Sequence, residues 1–226
     1  MTQELFFRDA ALVIVGGGSG RRFGGNKLLE EWREMPVFLH SMKQLGSCFP
    51  DGNRIFVAPE SELSLFQELA QRYLPELPFC FVAGGATRSA SVQAGLAAVP
   101  GSAAYVAIHD AARPLATADL LARVLAGARR VGGAIPGRRV VDTLKRCNEQ
   151  GLIAQTVARD DLWAVETPQC FSVKTLLEAY RRCPEAQTDD AGVMECAGFP
   201  VTVVEDPGEN FKITYPEDLR KLRLLT

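Results

Sequence analysis

Residues 16–27 read Gly-Gly-Gly-Ser-Gly-Arg-Arg-Phe-Gly-Gly-Asn-Lys. An apolar run at 11–15 stops abruptly at these glycines, and the cations Arg21, Arg22 and Lys27 follow closely. Glycine lets a backbone approach an anion and turn its N–H groups toward it. The cationic side chains neutralise what the amides cannot. The chemistry that suits such a stretch is the holding of a polyphosphate; the bland reading is a glycine-rich turn between strand and helix. The stretch is not a P-loop, which needs four residues between its glycines and then Lys-Ser/Thr. It is not a clean dinucleotide fingerprint either, because Arg21 stands where the third glycine belongs. A nucleoside triphosphate held by a different loop fits better, since its oxygens suit Arg forks and a Lys point charge.

Other groups have the right types for the same chemistry. Gly84 and Gly85 precede Ala86-Thr87-Arg88-Ser89-Ala90-Ser91. The amides there suit a base edge or a ribose, and Ser91 can hydrogen-bond; alone, the segment is a plain capped helix start. His109-Asp110-Ala111-Ala112-Arg113 places a carboxylate at a strand end. Asp110 is a good Mg²⁺ ligand, because Mg²⁺ is commonly held by one or two carboxylates plus substrate phosphates; otherwise it caps a helix. His109 reads as a structural neighbour rather than a base. Arg159, Thr167, Thr188 and Lys212 are scattered polar groups that gain meaning only in a shared crevice.

The elements that must position these groups follow from hydrophobic patterning. Near-continuous apolar runs at 11–15, 54–58, 79–83 and 104–108 predict strands buried on both faces, as in a parallel sheet. Helical spacing fills the intervals at 36–45, after Ser61 as a cap, at 89–98 and at 117–130. Such alternation predicts an α/β doubly wound sheet, with ligands at the carboxyl ends of its strands. The 16–20 loop, Gly84-Gly85 and His109-Asp110 each follow a strand and so converge on one crevice. After Gly132-Gly133 the rhythm changes. Two strand-like runs, 140–145 and 153–157, flank a Gly-containing turn and predict a hairpin that projects as an arm over about 137–160. Its roles are surface excursion, dimer contact or lid. Beyond it come a helix from Ser172 to Arg182, a helix at 189–197, strands at 201–204 and 211–214, and a closing helix at 216–224. One domain of residues 1–226 with an arm fits this order.

The totals narrow the class. Among 226 residues, 47% are hydrophobic and 23% charged, ordinary for a globular chain, and the formal net charge is −2. Nothing global recruits nucleic acid or an acidic membrane surface. No apolar run is long enough to span a bilayer, and no signal peptide is visible. The six cysteines show no C-x-x-C pair, and with two histidines there is no zinc-ligand spacing. Buried free thiols are the default, as for Cys80 between Phe79 and Phe81, and a reducing cytoplasm is expected.

Seven segments carry a family likeness: 16–22 with Lys27, 84–92, 109–114, Asp-Thr-Leu-Lys at 142–145, Thr-Pro-Gln at 167–169, Thr-Asp-Asp-Ala at 188–191 and Asn-Phe-Lys-Ile-Thr at 210–214. In this order the chain resembles the 2-C-methyl-D-erythritol 4-phosphate cytidylyltransferases, CTP-dependent enzymes of the non-mevalonate isoprenoid pathway. The resemblance implies a Rossmann-like nucleotidyltransferase fold, a mostly parallel sheet flanked by helices. It also implies a homodimer in which each β-arm reaches over the other subunit's active site. Gly16, Gly17, Gly18, Ser19 and Gly20 would wrap the triphosphate. Arg22 and Lys27, with Lys212, would form the catalytic set. Gly84, Gly85 and Ser91 would read the cytosine. Asp110, with Ala111 beside it on CTP, would bind Mg²⁺ or another divalent cation. Thr143 and Arg159 from the neighbouring arm, with Thr167, Thr188, Arg113 and Lys212, would hold the methylerythritol phosphate. The first loop departs from the family's usual Pro-Ala-Ala-Gly, Asn26 replaces a proline, Leu28 a glutamine, and one residue is missing between Phe23 and Lys27. A ribitol 5-phosphate cytidylyltransferase and a catalytically silent nucleotide binder are the rival readings.

Overall fold

The computed structural model describes residues 5–17, 23–185 and 187–225. Six consecutive apolar residues form β1 (Ala10–Val15), and all six are buried. A short hairpin of β2 (Glu31–Trp32) and β3 (Met35–Pro36) leads into α1 (Val37–Gly46). Then come β4 (Arg54–Ala58), α2 (Leu63–Tyr73), β5 (Cys80–Ala83), α3 (Arg88–Ala97), β6 (Tyr105–Asp110), α4 (Ala118–Val131) and β7 (Gly133–Arg139). The arm is β8 (Leu144–Cys147) and β9 (Ile153–Val157). It is followed by β10 (Trp163–Val165), β11 (Gln169–Ser172), α5 (Val173–Arg182), α6 (Asp190–Cys196), β12 (Thr202–Glu205) and α7 (Pro216–Leu224).

β1 lies between parallel neighbours, β6 on one side and β4 on the other, with β5 beyond β4. On the far side of β6 the sheet turns antiparallel through β11 and then β7. Ala134 of β7 pairs with Cys170 of β11 and Thr202 of β12, so β12 takes the outer edge of β7. The result is an α/β sheet of mixed but mostly parallel strands with helices on both faces. Successive strand residues point to opposite faces, and β1 shows it. Leu12 and Ile14 join one core with Phe38, Met42 and Leu121, whereas Val13 and Val15 join another with Val92, Leu96 and Leu176. A third, smaller core joins Trp32 and Val37 to Ile213, Leu219 and Leu222, so the C-terminal segment packs on the β2–β3 hairpin.

The α3 helix sits very close to the sheet because Gly95 faces it. A Cβ there would lie 2.5 Å from Val13 Cγ1 and 2.9 Å from Val57 Cγ2. Overpacking of this kind costs about 1–3 kcal/mol. Gly95→Ala should therefore lower Tm in a thermal melt, by about 2–4 °C per kcal/mol for a chain of this size.

Several expectations are corrected. Cys183 and Cys196 form a disulfide, with Cα atoms 6.1 Å apart. They are brought together by the turn of the chain between α5 and α6, which leaves no local spacing motif. Cysteine usage therefore no longer argues for a reducing compartment. Cys48 and Cys170 are buried thiols, but Cys80 and Cys147 are exposed. β5 is an edge strand and is only partly buried. Ser61 caps nothing: it lies in a single 3-10 turn, Glu60–Glu62, and α2 starts after it. Residues 211–214 form no strand; Ile213 N–H instead donates to the Ala112 carbonyl, 2.9 Å. Among the described residues no helix is long and apolar enough to cross a membrane.

Candidate active site

The site grows from the carboxyl ends of β1, β5 and β6. Gly16 extends β1 by donating its N–H to the Val57 carbonyl, 2.7 Å. A Cβ on Gly16 would lie 2.6 Å from the Phe56 ring, itself packed on Phe38 and Phe66. Glycine is needed here so that the loop can leave the sheet over an aromatic core. Gly17 comes next, exposed, with its Cα face toward Ser91. After β5, Gly85 lies so close to Ala90 that a Cβ would meet Ala90 Cβ at 2.5 Å. Thr87 caps α3 by accepting the Ala90 N–H, 3.1 Å, and Ser91 Oγ donates to the Thr87 carbonyl, 3.0 Å. Gly17, Gly84, Gly85, Thr87 and Ser91 line a cavity of about 390 Å³ with Asn26, Glu62 and Arg88.

A second cavity, of about 230 Å³, opens beside it. Arg88 lines both. Asp110 is the last residue of β6 and is 8% exposed. Its Oδ2 accepts from Lys212 Nζ at 2.7 Å and its Oδ1 from Arg88 Nε at 3.3 Å. Burial alone would raise its pKa, but Lys212 and Arg88, helped by Arg113, hold it well below the usual carboxylate range. Arg113, Glu166, Thr167, Gln169, Thr188 and Asp189 complete the wall. Arg113 is fixed by donating to the Asn210 carbonyl, 2.6 Å, and Asn210 Nδ2 donates to the Thr167 carbonyl, 2.9 Å. Glu166 is buried and paired with Arg138 at 2.9 Å.

His109 is structural. Its Nε2 lies 3.2 Å from the Arg113 carbonyl, which can only accept, so Nε2 carries the proton. Thr167 Oγ1 lies 3.1 Å from His109 Nδ1 and accepts the Asp110 N–H at 3.0 Å, so the hydroxyl donates to Nδ1. Burial lowers the His109 pKa to about 4, against the pull of Asp110 and with the help of Arg113. The unfolded chain protonates this ring near 6.5 and the fold does not until about 4. The stability it contributes is complete above pH 6.5 and is lost as the pH falls toward 4, by a few kcal/mol. Urea unfolding from pH 7 to 4.5 should show this loss, and His109→Gln should flatten the slope.

The structure thus brings Gly17, Gly84, Gly85 and Ser91 to one cavity, and Asp110, Arg113, Thr167, Thr188 and Lys212 to the other; Gly16 is buried over Phe56 and does not line the first. Ala111 sits at the strand end with its N–H on the Val15 carbonyl, 3.0 Å, and its own carbonyl accepting from Ser41. Lys27 donates to the Ile213 carbonyl, 2.6 Å, next to Lys212 in sequence. Thr143 and Arg159 lie away from both cavities on the exposed arm, where Arg159 donates to the Val141 carbonyl. Gly18, Ser19, Gly20 and Arg22 lie outside the described residues.

The model of the 2-C-methyl-D-erythritol 4-phosphate cytidylyltransferase family matches residues 10–224. The chain belongs to this family. Similar curated relatives are the cytidylyltransferases of that name from Bacillus thuringiensis (39% identical, 92% of this chain and 93% of the relative) and Desulforamulus reducens (36%, 92% and 91%). The crystal structure of the 2-C-methyl-D-erythritol 4-phosphate cytidylyltransferase from Thermus thermophilus superposes with a TM-score of 0.77 at 30% identity, over 95% of this chain and 98% of that one.

In this cytidylyltransferase some site residues carry no local sign of their role. Glu166 and Asn210 show none by residue type or spacing. Arg88 offered one usable signal: a cation as the first residue of a helix opposes the helix dipole. Such a placement asks for acidic partners from elsewhere. Asp190 offered another, since Asp189 already caps α6 and leaves the second aspartate for a distant partner.

Proposed function

We propose that this cytidylyltransferase seats CTP in the cavity between Gly17 and Ser91, and 2-C-methyl-D-erythritol 4-phosphate in the cavity at Asp110, Arg113, Thr188 and Lys212. The products are 4-diphosphocytidyl-2-C-methyl-D-erythritol and pyrophosphate. One observation supports this most: the two cavities share Arg88 as a wall, and Arg88 reaches Asp110, which with Lys212 lines the second cavity. That shared wall is where the α-phosphate of one substrate must meet the phosphate of the other. The Gly84–Gly85 backbone and Ser91 read the base edge, and Gly16 and Gly17 begin the wrap of the triphosphate. Gly18, Ser19, Gly20 and Arg22 continue it on the strength of the sequence.

The chemistry needs no protein nucleophile. An anionic phosphate oxygen of the sugar phosphate attacks the α-phosphorus in line, its new P–O bond replaces the P–O bond to pyrophosphate, and pyrophosphate leaves with the electron pair. The barrier comes from two approaching anions and from charge on the five-coordinate phosphorus, and fixed cations lower it. Lys212 is placed to move from Asp110 to a phosphate oxygen, since its side chain is 39% exposed while that of Asp110 is 12% exposed. Thr167 does not reach outward with its hydroxyl; it locks Asp110 and His109 in place.

Mg²⁺ fits this donor set only with help from the substrate. Among the described residues no cluster of three His, Cys, Asp or Glu side chains can hold a metal. One carboxylate plus phosphate oxygens is nonetheless a common Mg²⁺ environment, so Asp110 would hold the ion once Lys212 leaves it. When bound, the ion would neutralise charge on the triphosphate.

A homodimer accounts for the arm. Every residue from 141 to 156 is exposed, including Val141, Leu152 and Ile153. An isolated two-stranded hairpin is marginal in water, and a covering partner stabilises it. The partner's cavity would then receive Thr143 and Arg159. Arg159→Ala should raise KM for the sugar phosphate roughly tenfold or more with KM for CTP little changed, the mark of lost uniform binding of one substrate. Steady-state kinetics with each substrate varied in turn checks this, and a pure CTP defect contradicts the assignment. No nucleic-acid or membrane partner is part of this reading, and the cytoplasm, where nucleoside triphosphates are used, is its place. The direct test of function is pyrophosphate release from CTP with methylerythritol phosphate or ribitol 5-phosphate, with and without Mg²⁺. Turnover confined to ribitol 5-phosphate, or CTP binding without release, overturns it.

A further inference from the structure

We propose that Arg88 is a positioning residue for cytidylyl transfer: held from behind by the buried Asp190–Tyr180 pair, it fixes the Asp110 carboxylate of the second cavity from the wall that the two cavities share. This rests on the role given to Asp110 above and extends it, through Arg88, to Asp190 and Tyr180, which line neither cavity.

The geometry is a relay of charges. Tyr180 OH, on α5, donates to Asp190 Oδ1 at 2.6 Å. Asp190 Oδ2 pairs with Arg88 Nη1 at 2.8 Å, and Arg88 Nε pairs with Asp110 Oδ1 at 3.3 Å. Asp190 is fully buried, and the Arg88 side chain is 25% exposed. A fully buried carboxylate is costly unless paired and hydrogen-bonded. Asp190 has the Tyr180 hydrogen bond on Oδ1 and the Arg88 ion pair on Oδ2, so the buried carboxylate and the guanidinium hold each other. The planar fork of arginine, spanning two aspartates, sets a direction as well as a charge.

The two cations on Asp110 therefore have different duties. Lys212 comes from an irregular segment and is the more exposed. It can leave for a substrate phosphate. Arg88 is anchored at the capped start of α3 and by Asp190, so it stays. When Lys212 moves away, the carboxylate would otherwise be free to rotate; Arg88 keeps it aimed. A misplacement of about 1 Å at a reacting centre can cost about 10²-fold in rate, which gives a buried residue behind the site a kinetic effect.

The test uses the full chain with CTP and methylerythritol phosphate. Asp190→Asn keeps the shape and the tyrosine partner but removes the charge. It should lower kcat at least tenfold while both KM values stay within threefold, and Tyr180→Phe should shift kcat the same way by a smaller factor. Arg88→Lys, which retains charge but not the fork, should not restore the rate lost in Arg88→Ala. The same Asp190→Asn change made in an Asp110→Asn background should alter kcat by less than twofold, because the relay ends at Asp110. Wild-type kcat in folded Asp190→Asn, or a full multiplicative effect in the double variant, overturns the proposal. If Asp190→Asn fails to fold, Tyr180→Phe and Arg88→Lys carry the same test. Should Asp110→Asn itself keep normal turnover, the reading of the site fails instead, and the two failures are distinct.

Discussion

Asp110→Asn is expected to lower kcat by about 10²–10³, the scale of removing one preorganised electrostatic group from a transition state. The carboxylate lines the second cavity next to the shared wall, gripped by Lys212 at 2.7 Å and Arg88 at 3.3 Å. Asparagine keeps the shape but neither the charge nor the second anionic oxygen. Two cations then lose their shared partner, and on the proposed reading a bound divalent ion would lose its protein ligand. The effect on binding should run the other way when no divalent ion is present. Removing a negative charge from the edge of a triphosphate pocket removes repulsion, so metal-free CTP should bind several-fold more tightly. Single-turnover rates and calorimetric CTP titrations, with and without Mg²⁺, separate the two effects. A kcat within tenfold of the parent would take Asp110 out of the reaction.

Lys27→Ala should lower kcat by about 10²–10³ with little change in CTP affinity, because a group that meets charge only as it develops acts on the transition state and not on the ground state. The ammonium rests on the Ile213 carbonyl at 2.6 Å, beside the segment that carries Lys212. It thereby joins the end of the glycine loop to the part of the chain that supplies the other mobile cation. Lys27→Met is the useful companion, since it keeps the apolar stem and lacks only the charge. Equal losses in both variants assign the effect to charge; a loss confined to alanine assigns it to packing. Near-normal turnover in both would remove Lys27 from the mechanism.

Most of the architecture was legible because apolar runs and helix caps are local signals. β1 and β4 are six and five residues with complete burial, and their sequences say so. Ser172 and Asp189 cap α5 and α6 through side-chain bonds that their residue types foretell. Position within a sheet is not local. The run at 80–83 is as apolar as a central strand, yet it forms an edge, because nothing in its own residues says that no further strand follows. Residues 211–214 look like a strand, but their bonds go to Ala112 and Asp110 instead of a neighbouring ladder. The site divides in the same way. Glycines and Asp110 announce themselves by type, whereas Arg88 and Asp190 acquire a role only from each other across the fold. The disulfide likewise depends on a chain reversal that no cysteine spacing encodes.

The C-terminal segment has a consequence for the timing of synthesis. Residues 210–213 bring Lys212 to Asp110, the Ile213 carbonyl to Lys27 and the Asn210 amide to Thr167, and α7 then packs on Trp32. The sheet and both glycine turns are made from residues that leave the ribosome earlier, and chains tend to fold in that order as they emerge. A nascent chain can therefore shape the cavity at Gly17 and Ser91 before it owns Lys212. Until residues 210–213 arrive, Asp110 lacks its closest cation, Lys212.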